Sequence, residues 1–540
     1  MNIRKFIASD TFHQLIIYCG CVHFVFAIFL VAGGFDFFLN LSIKKLFRIT
    51  KSSPVFKLWR DIPIPIYMKF HLFNVTNPDE IGQGAKPMLR EMGPYTYLVR
   101  MQKFEITKNS TRDTVKYKQN RTFYFQPDMS AGSEDDQITM INVLFIAVSH
   151  MANDFTDLDF ILETLDQMLA DRDEKLTRTV KVKDILFDGI SIQTYVDLVN
   201  DPMVQQAGEI EFPEDYKDGL FALLKNKNGT HDGFWEMYSG RKNSSHFAKL
   251  YSIQNGKRKL DLYKADSCNA INGSDGTFNP PFIEPGVTEL YAFVPEICRS
   301  VQWQYLFNAV SYGINVARYT LPAIQSVPEN PDKWCFCPKE DPMKCDVAGL
   351  ESLQACFQGA PVQLTKPHFL ETDRELLKGV LGLRPDDRKH QSKLDIHPLT
   401  GATVEAQIRL QFSIDLVPWP AMPTFQNASR AMIPFAWIEL SATLDALNQI
   451  GLWILSSFLE IWPILRILNI LGALSTIGLG AMIGFARKSK IDKGSDTPQE
   501  EEKPAGKRLL TKAEAEESSE PVLEEIKDDS VTFITKAKEE

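Results

Sequence analysis

Six cysteines in one window of the chain constrain its fold more than any other feature. The segment between two hydrophobic stretches holds six of the eight cysteines, namely Cys268, Cys298, Cys335, Cys337, Cys345 and Cys356. An even number in one window predicts a disulfide framework, which persists only in an oxidising compartment. The alternative is a zinc site, but the spacings lack paired C-x-x-C motifs and no histidine lies at finger spacing. The connectivity stays open, although Cys335 and Cys337 can bridge only by forcing their backbone.

Two hydrophobic segments, residues 12–38 and 464–486, flank this region. Each is long enough to cross a bilayer, for which about 20 apolar residues suffice. A cleavable signal peptide is the alternative for the first segment, but its apolar region would be shorter and would end in a small-residue cleavage site. We therefore predict an uncleaved signal anchor followed, near the other end, by a second transmembrane helix.

Charges beside the two segments predict the topology. Arg4 and Lys5 precede the first segment, and Arg487, Lys488 and Lys490 follow the second. By the positive-inside rule both termini are cytosolic, and the region between lies outside, where disulfides form. The last part of the chain is rich in Glu and Lys and poor in aromatics, so it cannot bury enough apolar surface to fold. The predicted division is a cytosolic N-terminus (1–11), a transmembrane helix (12–38), an ectodomain (39–463), a second transmembrane helix (464–486) and a disordered cytosolic tail (487–540).

Glycosylation sequons agree with this topology. Eight N-x-S/T sequons lie between the two segments, more than the low specificity of the motif would produce by chance. The sequon at Asn40 is too close to the membrane to be modified. The predicted glycosylation sites are Asn74, Asn109, Asn120, Asn228, Asn243, Asn272 and Asn427.

Composition and motifs give no indication of nucleic-acid binding or catalysis. The net charge is −10, and no clustered basic face is present. No phosphate-binding loop, metalloprotease helix motif or nucleophile elbow occurs, so we predict neither an enzyme nor a metal or cofactor site. Residues 273–276 (Gly-Ser-Asp-Gly) predict a turn. The isolated His368 and His397 predict roles in packing.

Alternating apolar residues predict strands in the ectodomain. Residues 66–72 alternate with a period of two, and residues 95–99 and 122–125 are rich in aromatic and β-branched types. The clearest strand is 408–416, with Ile408, Leu410, Phe412, Ile414 and Leu416 on one face. Polar residues from Gln407 to Asp415 occupy the other face, which predicts an antiparallel sheet with one face in water.

Helical spacing predicts an insertion at 135–186, where apolar residues such as Ile138, Ile141 and Phe145 recur and acidic residues occupy the outer positions. A further helix is predicted at 437–459. Strands with inserted helices and no regular βαβ alternation predict an α+β fold.

Several motifs resemble those of the class B scavenger receptor family, in order, from about residue 35 to about residue 440. They are 93–97 (Gly-Pro-Tyr-Thr-Tyr), 280–282 (Pro-Pro-Phe), 297–300 (Ile-Cys-Arg-Ser), 330–332 (Asn-Pro-Asp), 367–370 (Pro-His-Phe-Leu) and 394–396 (Leu-Asp-Ile). Within the family, the motifs at 125–130, 367–373 and 432–439 are most similar to the sensory neuron membrane protein branch. The resemblance implies the bridges Cys268–Cys335, Cys298–Cys356 and Cys337–Cys345.

The resemblance also implies an architecture and a function. Members have an irregular antiparallel β-barrel with an apical helix bundle, here 135–186, and a hydrophobic tunnel that carries lipid towards the membrane. Periodicity alone does not reveal a tunnel. The implied function is a plasma-membrane receptor for a long-chain lipid or fatty-acid-derived ligand, working with a lipid carrier protein and with an odorant receptor in pheromone detection. The expected ligand entrance is Phe155, Phe160, Arg172 and Lys175.

Two alternatives remain open at this stage. One keeps the family but makes the protein an endocytic scavenger receptor or a lysosomal transport receptor. The acidic insertion argues against bulk capture of anionic lipoproteins, and the dileucine at 509–510 has Ala505 where a lysosomal sorting signal has an acidic residue. The other alternative is an adhesion protein without a lipid conduit, which only bound lipid would distinguish from the receptor.

Overall fold

The computed structural model describes residues 10–155, 159–202, 205, 216–337, 343–424 and 426–494. The chain divides into two compact units. Residues 22–473 form the larger unit, and the described residues 10–21 and 474–494 belong to the smaller one. Most of the predicted cytosolic N-terminus and tail therefore lies outside the described residues.

Strands dominate the larger unit and helices lie mainly at the ends of the chain. The strands are β1 (Ile66–Val75), β2 (Leu89–Asn109), β3 (Thr114–Phe125), β4 (Gln137–Ile141), β5 (Thr177–Lys181), β6 (Ile190–Ser191), β7 (Leu220–Phe221), β8 (Trp235–Tyr238), β9 (Leu250–Ser252), β10 (Leu290–Val294), β11 (Arg299–Ser311), β12 (Ile314–Thr320), β13 (Glu351–Ser352), β14 (Val362–Thr365), β15 (Lys393–Ile396), β16 (Thr403–Leu416) and β17 (Ala431–Thr443). The α-helices are α1 (Asp10–Val31), α2 (Gly34–Leu46), α3 (Pro54–Arg60), α4 (Val143–Phe155), α5 (Asp159–Ala170), α6 (Gln193–Val199), α7 (Met343–Asp346), α8 (Arg374–Lys378), α9 (Asp387–His390) and α10 (Ala446–Gly494). The mixture agrees with the predicted α+β class.

A large antiparallel sheet of 13 strands organises the larger unit, in the order β10-β11-β12-β15-β16-β17-β1-β2-β3-β8-β9. Strands β13 and β14 pair with each other, and β14 joins this path through β16. The first half of β16 pairs with β15 and its second half with β14, while residues Glu405 to Leu416 pair with β17. Strand β16 is therefore the strand on which several parts of the sheet meet.

The two end strands of this sheet, β9 and β10, do not pair with each other, so the strand order describes no closed barrel. Residues 273–274 nevertheless contact both. Leu250 in β9 donates its N–H to the carbonyl of Gly273 at 2.7 Å, and Ser274 donates to the carbonyl of Tyr291 in β10 at 3.1 Å. Only glycine fits at 273, where φ is +80° and an added Cβ would lie 1.9 Å from the Tyr291 carbonyl oxygen.

The predicted helical insertion at 135–186 is only partly helical. It contains the two-stranded sheet β4–β5, the helices α4 and α5, and a short helical turn at Asp184–Asp188. Ile138 and Ile141, which were assigned to a helix, lie on β4, where the short apolar run satisfies a strand as well as a helix. Asp166 also departs from the predicted solvated face: it is buried and accepts the Thr424 N–H at 3.1 Å.

Strand β16 has no face in water over its second half, contrary to the prediction. Its polar residues Arg409, Gln411, Ser413 and Asp415 are all buried. The segment 362–391 covers them: Gln411 donates to the Thr365 hydroxyl at 3.0 Å and accepts the His368 N–H at 2.8 Å. Arg409 pairs with Glu439, and Asp415 accepts from Arg430. Because their polar groups have hydrogen-bond partners, these side chains can be buried, and this part of the sheet has both faces covered.

The predicted helix at 437–459 is also wrong in its first part, because residues up to Thr443 belong to β17. Helix α10 then runs without interruption from Ala446 to Gly494, well beyond 464–486. The stretches 11–31 and 446–489 are long and apolar enough to span a membrane. The first predicted segment is broken at Gly33, whose φ of +94° ends α1 before α2 begins.

Candidate functional site

A cavity of about 240 Å³ lies between strands of the 13-stranded sheet. Its wall includes residues of β1, β2 and β3 as well as residues of β10, β11, β16 and β17. Most of its wall is apolar. The apolar residues that line it are Ile62, Ile64, Ile66, Met101, Trp235, Ala292, Phe293, Val294, Pro295, Val301, Trp303, Leu321, Leu394, Ala406, Ile408, Leu410, Leu440, Ala442 and Leu444. An enclosed apolar space with a few polar groups is the usual form of a site for a hydrophobic ligand.

The cavity lies at the edge of the sheet where β16 begins and β17 ends, just before α10 starts in the chain. Ala406 on β16 pairs with Ala442 on β17, and both line the cavity. Further along the same face of β16, Phe412 and Ile414 instead join the buried core that holds Phe145 of α4. One face of one strand therefore lines a cavity at one end and packs as core at the other.

Of the residues expected at the ligand entrance, Arg172 and Lys175 do not line this cavity. The side chains of Phe155 and Phe160 lie outside the described part of the structure. Arg172 and Lys175 are exposed: Arg172 donates to the Met168 carbonyl at 2.9 Å, and Lys175 pairs with Asp173 at 3.0 Å. Among the described residues that line the cavity, none comes from the range 137–188.

Charged groups line one part of the cavity wall. The Arg121 guanidinium on β3 contacts the carboxylates of Glu296 and Asp232. Glu296 raises the pKa of Arg121 above its ordinary value, because the neighbouring negative charge outweighs the burial that opposes ionisation. Asp232 is shared with the Lys227 ammonium. The backbone also holds this part together, since Gly229 donates its N–H to the Arg121 carbonyl at 2.7 Å.

A buried ion pair stands behind the same wall. The Lys103 side chain is 0% exposed and its Nζ lies 3.5 Å from the carboxylate of Asp275, which is 5% exposed. Tyr117 donates to that carboxylate at 2.9 Å, and the Thr277 N–H donates at 3.0 Å. Burial opposes the charge of Asp275, but Lys103 and these hydrogen bonds outweigh it and keep the pKa of Asp275 below its ordinary value. The Lys103 ammonium also lies over the ring of Trp59 at 5.3 Å.

Sequence reasoning assigned residues 273–276 to a turn and missed this aspartate. The segment contacts both end strands and places Asp275 in the wall of the cavity. A Gly-Ser-Asp-Gly sequence between strands is a weak signal, because the same residues occur in ordinary turns. Lys103 is a clearer signal in the sequence, because it occupies a position of β2 where the alternation places buried side chains. A charge buried at such a position requires a partner.

Three disulfides join Cys268 to Cys335, Cys298 to Cys356 and Cys337 to Cys345, the pairs that the family resemblance implies. Their Cα–Cα distances are 6.2, 5.7 and 5.9 Å. Cys268 and Cys335 belong to a second core cluster together with Trp59 and Tyr117. Cys298 follows the turn Pro295–Ile297, so its bridge restrains the backbone that carries Glu296.

The predicted glycosylation sites lie on the surface or near it. Asn228, Asn243, Asn272 and Asn427 are exposed, and Asn74, Asn109 and Asn120 are half-buried. The side-chain oxygen Oδ1 of Asn228 accepts the Phe123 N–H at 3.0 Å. Its amide nitrogen, the atom that a glycan modifies, is left out of that bond.

The buried face beside β16 holds a second polar cluster around Glu91. Its carboxylate lies 2.6 Å from His71 Nδ1 and 2.5 Å from His368 Nε2. His368 Nδ1 accepts the Arg384 N–H, so the proton of the neutral ring is on Nε2 and points at Glu91. Burial would raise the pKa of Glu91, but the hydrogen bonds from His368 and His71 outweigh it and hold that pKa well below its ordinary value. His368 and His390 stack with centroids 4.3 Å apart.

Buried histidines predict a loss of stability in mild acid. Burial lowers the pKa of His390 and of His397 to about 4, and the nearby His368 adds to the effect on His390. In the unfolded chain both rings become protonated from about pH 6.5 downwards, whereas in the folded state they stay neutral until about pH 4. This contribution is therefore intact above pH 6.5 and is lost as the pH falls, by up to about 3 kcal/mol for each group.

Thermal unfolding of the purified full chain, followed as the pH is lowered through this window, measures the effect. His397→Asn is the informative variant, because burial alone lowers the pKa of His397. Among the described residues, its ring has one side-chain hydrogen-bond partner, Thr400. The variant should show a shallower pH dependence than the wild type. An unfolding temperature of the wild type that stays constant across the window would contradict the prediction.

Comparisons with known proteins identify the family of the chain. The model of the CD36 family matches residues 18–483. Sensory neuron membrane protein 2 of Manduca sexta is 31% identical over 88% of this chain and 96% of that protein. Scavenger receptor class B member 1 of Rattus norvegicus is 33% identical over 75% of this chain and 76% of that protein. Sensory neuron membrane protein 1 of Mamestra brassicae is 31% identical over 76% of this chain and 79% of that protein. The chain therefore belongs to the CD36 family, that of the class B scavenger receptors.

Proposed function

We propose that this protein is a cell-surface receptor that holds a long-chain lipid in the cavity and releases it towards the membrane. The observation that carries the proposal is an apolar cavity at the end of β16 and β17 that leads directly into the candidate membrane span α10. Burial of a lipid chain in such a space is favourable by about 0.8 kcal/mol for each methylene group. Membership of a receptor family supports a binding role without catalysis.

The proposed topology has both termini in the cytosol and the sheet outside the plasma membrane. Two apolar helices near the ends of the chain, three disulfides and seven surface or near-surface sequons support it. The proposed barrel would close through residues 273–274, which contact both end strands. A closed wall would keep water from the lipid, as the transfer of a hydrocarbon chain requires.

We also propose that the protein acts with an odorant receptor, and with a lipid carrier protein, in detecting lipid-derived pheromones. The support is its similarity to two sensory neuron membrane proteins over most of the chain. An entrance at Phe155, Phe160, Arg172 and Lys175 stays part of the proposal.

Filling the cavity tests lipid binding. Ala406→Phe should reduce the lipid that co-purifies with the full chain by about tenfold, which corresponds to about 1.4 kcal/mol. The reason is that the added ring extends from the cavity-lining face of β16 into space where the chain of the lipid would lie. Native mass spectrometry of the purified protein measures the bound lipid.

Ala131→Phe is the matched control, because Ala131 is exposed and is not among the described residues that line the cavity. It should carry as much lipid as the wild type. Equal lipid in Ala406→Phe, at unchanged thermal stability, would remove the cavity as the binding site. A wild-type protein that carries no lipid would favour an adhesion protein without a conduit.

A further inference from the structure

The described cations near the cavity already form ion pairs with carboxylates. Among the described residues that line it, Arg121 is the only cation, and the carboxylates are Asp232, Asp275 and Glu296. The Arg121 side chain is 16% exposed and contacts two of these three, Glu296 through Nη1 and Asp232 through Nη2. A guanidinium held in this way has its charge balanced before any ligand arrives.

Two further cations, which do not belong to the described cavity wall, complete the balance. Lys227 pairs with Asp232. Lys103 pairs with Asp275, and it is fully buried away from solvent. Three carboxylates thus face three cations, and within the described cavity wall no positive charge is left over for the head group of a ligand. An ionised carboxylate brought into this space would lose its hydration without gaining a counter-ion.

An uncharged polar group does have a partner here. Gln119 lies two residues before Arg121 on β3 and also lines the cavity. Among the described residues, its Oε1 has no hydrogen-bond donor, and its Nε2 has the Met101 sulfur at 3.7 Å as its partner. The Oε1 is buried beneath the cavity surface, so a ligand reaches it when the Gln119 side chain turns towards the cavity. A primary amide can either accept a hydrogen bond from a hydroxyl or donate one to a carbonyl oxygen.

We propose that the cavity selects long-chain lipids with an uncharged oxygen-containing head group, such as an alcohol, an aldehyde or an ester, over ionised fatty acids. Gln119 supplies the hydrogen bond to that group, and the closed set of ion pairs around Arg121 rejects a carboxylate. The proposal rests on the lipid binding proposed above and names the chemical class of the ligand.

The test compares radiolabelled methyl octadecanoate with octadecanoic acid, which share a chain and differ in charge. Equilibrium binding is measured on the full chain in nanodiscs at about pH 8, with empty nanodiscs as the blank. The ester should bind about tenfold more tightly than the acid, and the difference should shrink as the pH is lowered and the acid becomes neutral. An acid that binds as tightly as the ester at about pH 8 would overturn the selectivity while leaving lipid binding intact. If neither ligand binds, the proposed function fails as well.

Variants locate the effect. Glu296→Gln releases Arg121 from its closest carboxylate, so the affinity of the acid relative to the ester should rise about tenfold. Asp232→Asn should act in the same direction and replaces the first variant if that one is not displayed at the surface. Glu284→Gln is the matched control, because Glu284 is exposed and outside the described cavity wall. An unchanged ratio in both cavity variants would overturn the role of the ion pairs.

Discussion

Asp275→Asn is expected to lower the free energy of unfolding by about 3–5 kcal/mol, because it leaves the Lys103 ammonium buried without its counter-ion. Tyr117 donates to one oxygen of Asp275 and Thr277 to the other, and Asn keeps only one acceptor oxygen. The substitution therefore removes the charge pair and also disturbs one of these two hydrogen bonds. Burial already lowers the pKa of Lys103, and Asp275 opposes that effect. Without Asp275 the amine must either stay charged in a dry site or release its proton. Urea denaturation of the purified full chain measures the change.

A double-mutant cycle separates this pair from the surrounding packing. Lys103→Met should cost a similar amount, since it leaves the Asp275 carboxylate buried and unpaired. Lys103→Met with Asp275→Asn removes both charges and should be much closer to the wild type than the sum of the single variants. Costs that simply add would show that the two groups act independently and that the pair does not hold the wall of the cavity.

The periodicity of apolar residues predicted those strands and helices whose type is determined by residues close together in the sequence. The alternation from Ile66 to Leu72 corresponds to β1, and that from Ile408 to Leu416 lies on β16. The apolar ends of the chain are helices, although α10 is longer than its most apolar part. In each case the signal is a periodicity within about ten residues, which a strand or helix expresses directly.

What the pattern did not predict depends on segments that are distant in sequence. The sequence of β16 alone predicts that its polar face is solvated, but the segment 362–391 covers that face in the structure. Gln411 forms hydrogen bonds there with Thr365 and with the backbone of His368. Ile408 and Phe412 are equivalent in period, yet one lines a cavity and the other packs as core. The difference arises from what stands opposite each residue, and a single strand carries no record of that. Family resemblance implied a conduit without locating it.

The bridge between Cys298 and Cys356 is expected to contribute about 2–5 kcal/mol to stability. We expect Cys298→Ser with Cys356→Ser to reduce display at the cell surface and to lower the unfolding temperature of the protein that is recovered. Replacing both cysteines avoids a free thiol that could mispair. The bridge closes a separation of 58 residues, so its loss restores much conformational freedom to the unfolded chain.

Cys337→Ser with Cys345→Ser is the matched comparison, because that bridge closes a separation of only 8 residues. The chain-entropy argument predicts a cost about 2 kcal/mol smaller than for the longer bridge. Equal costs would show that strain or local packing, and not loop closure, sets the contribution. The long bridge has a second consequence, since it restrains the turn that presents Glu296 to Arg121. Protein that folds without it should therefore also bind octadecanoic acid better relative to its methyl ester, whereas loss of the short bridge should leave that ratio unchanged.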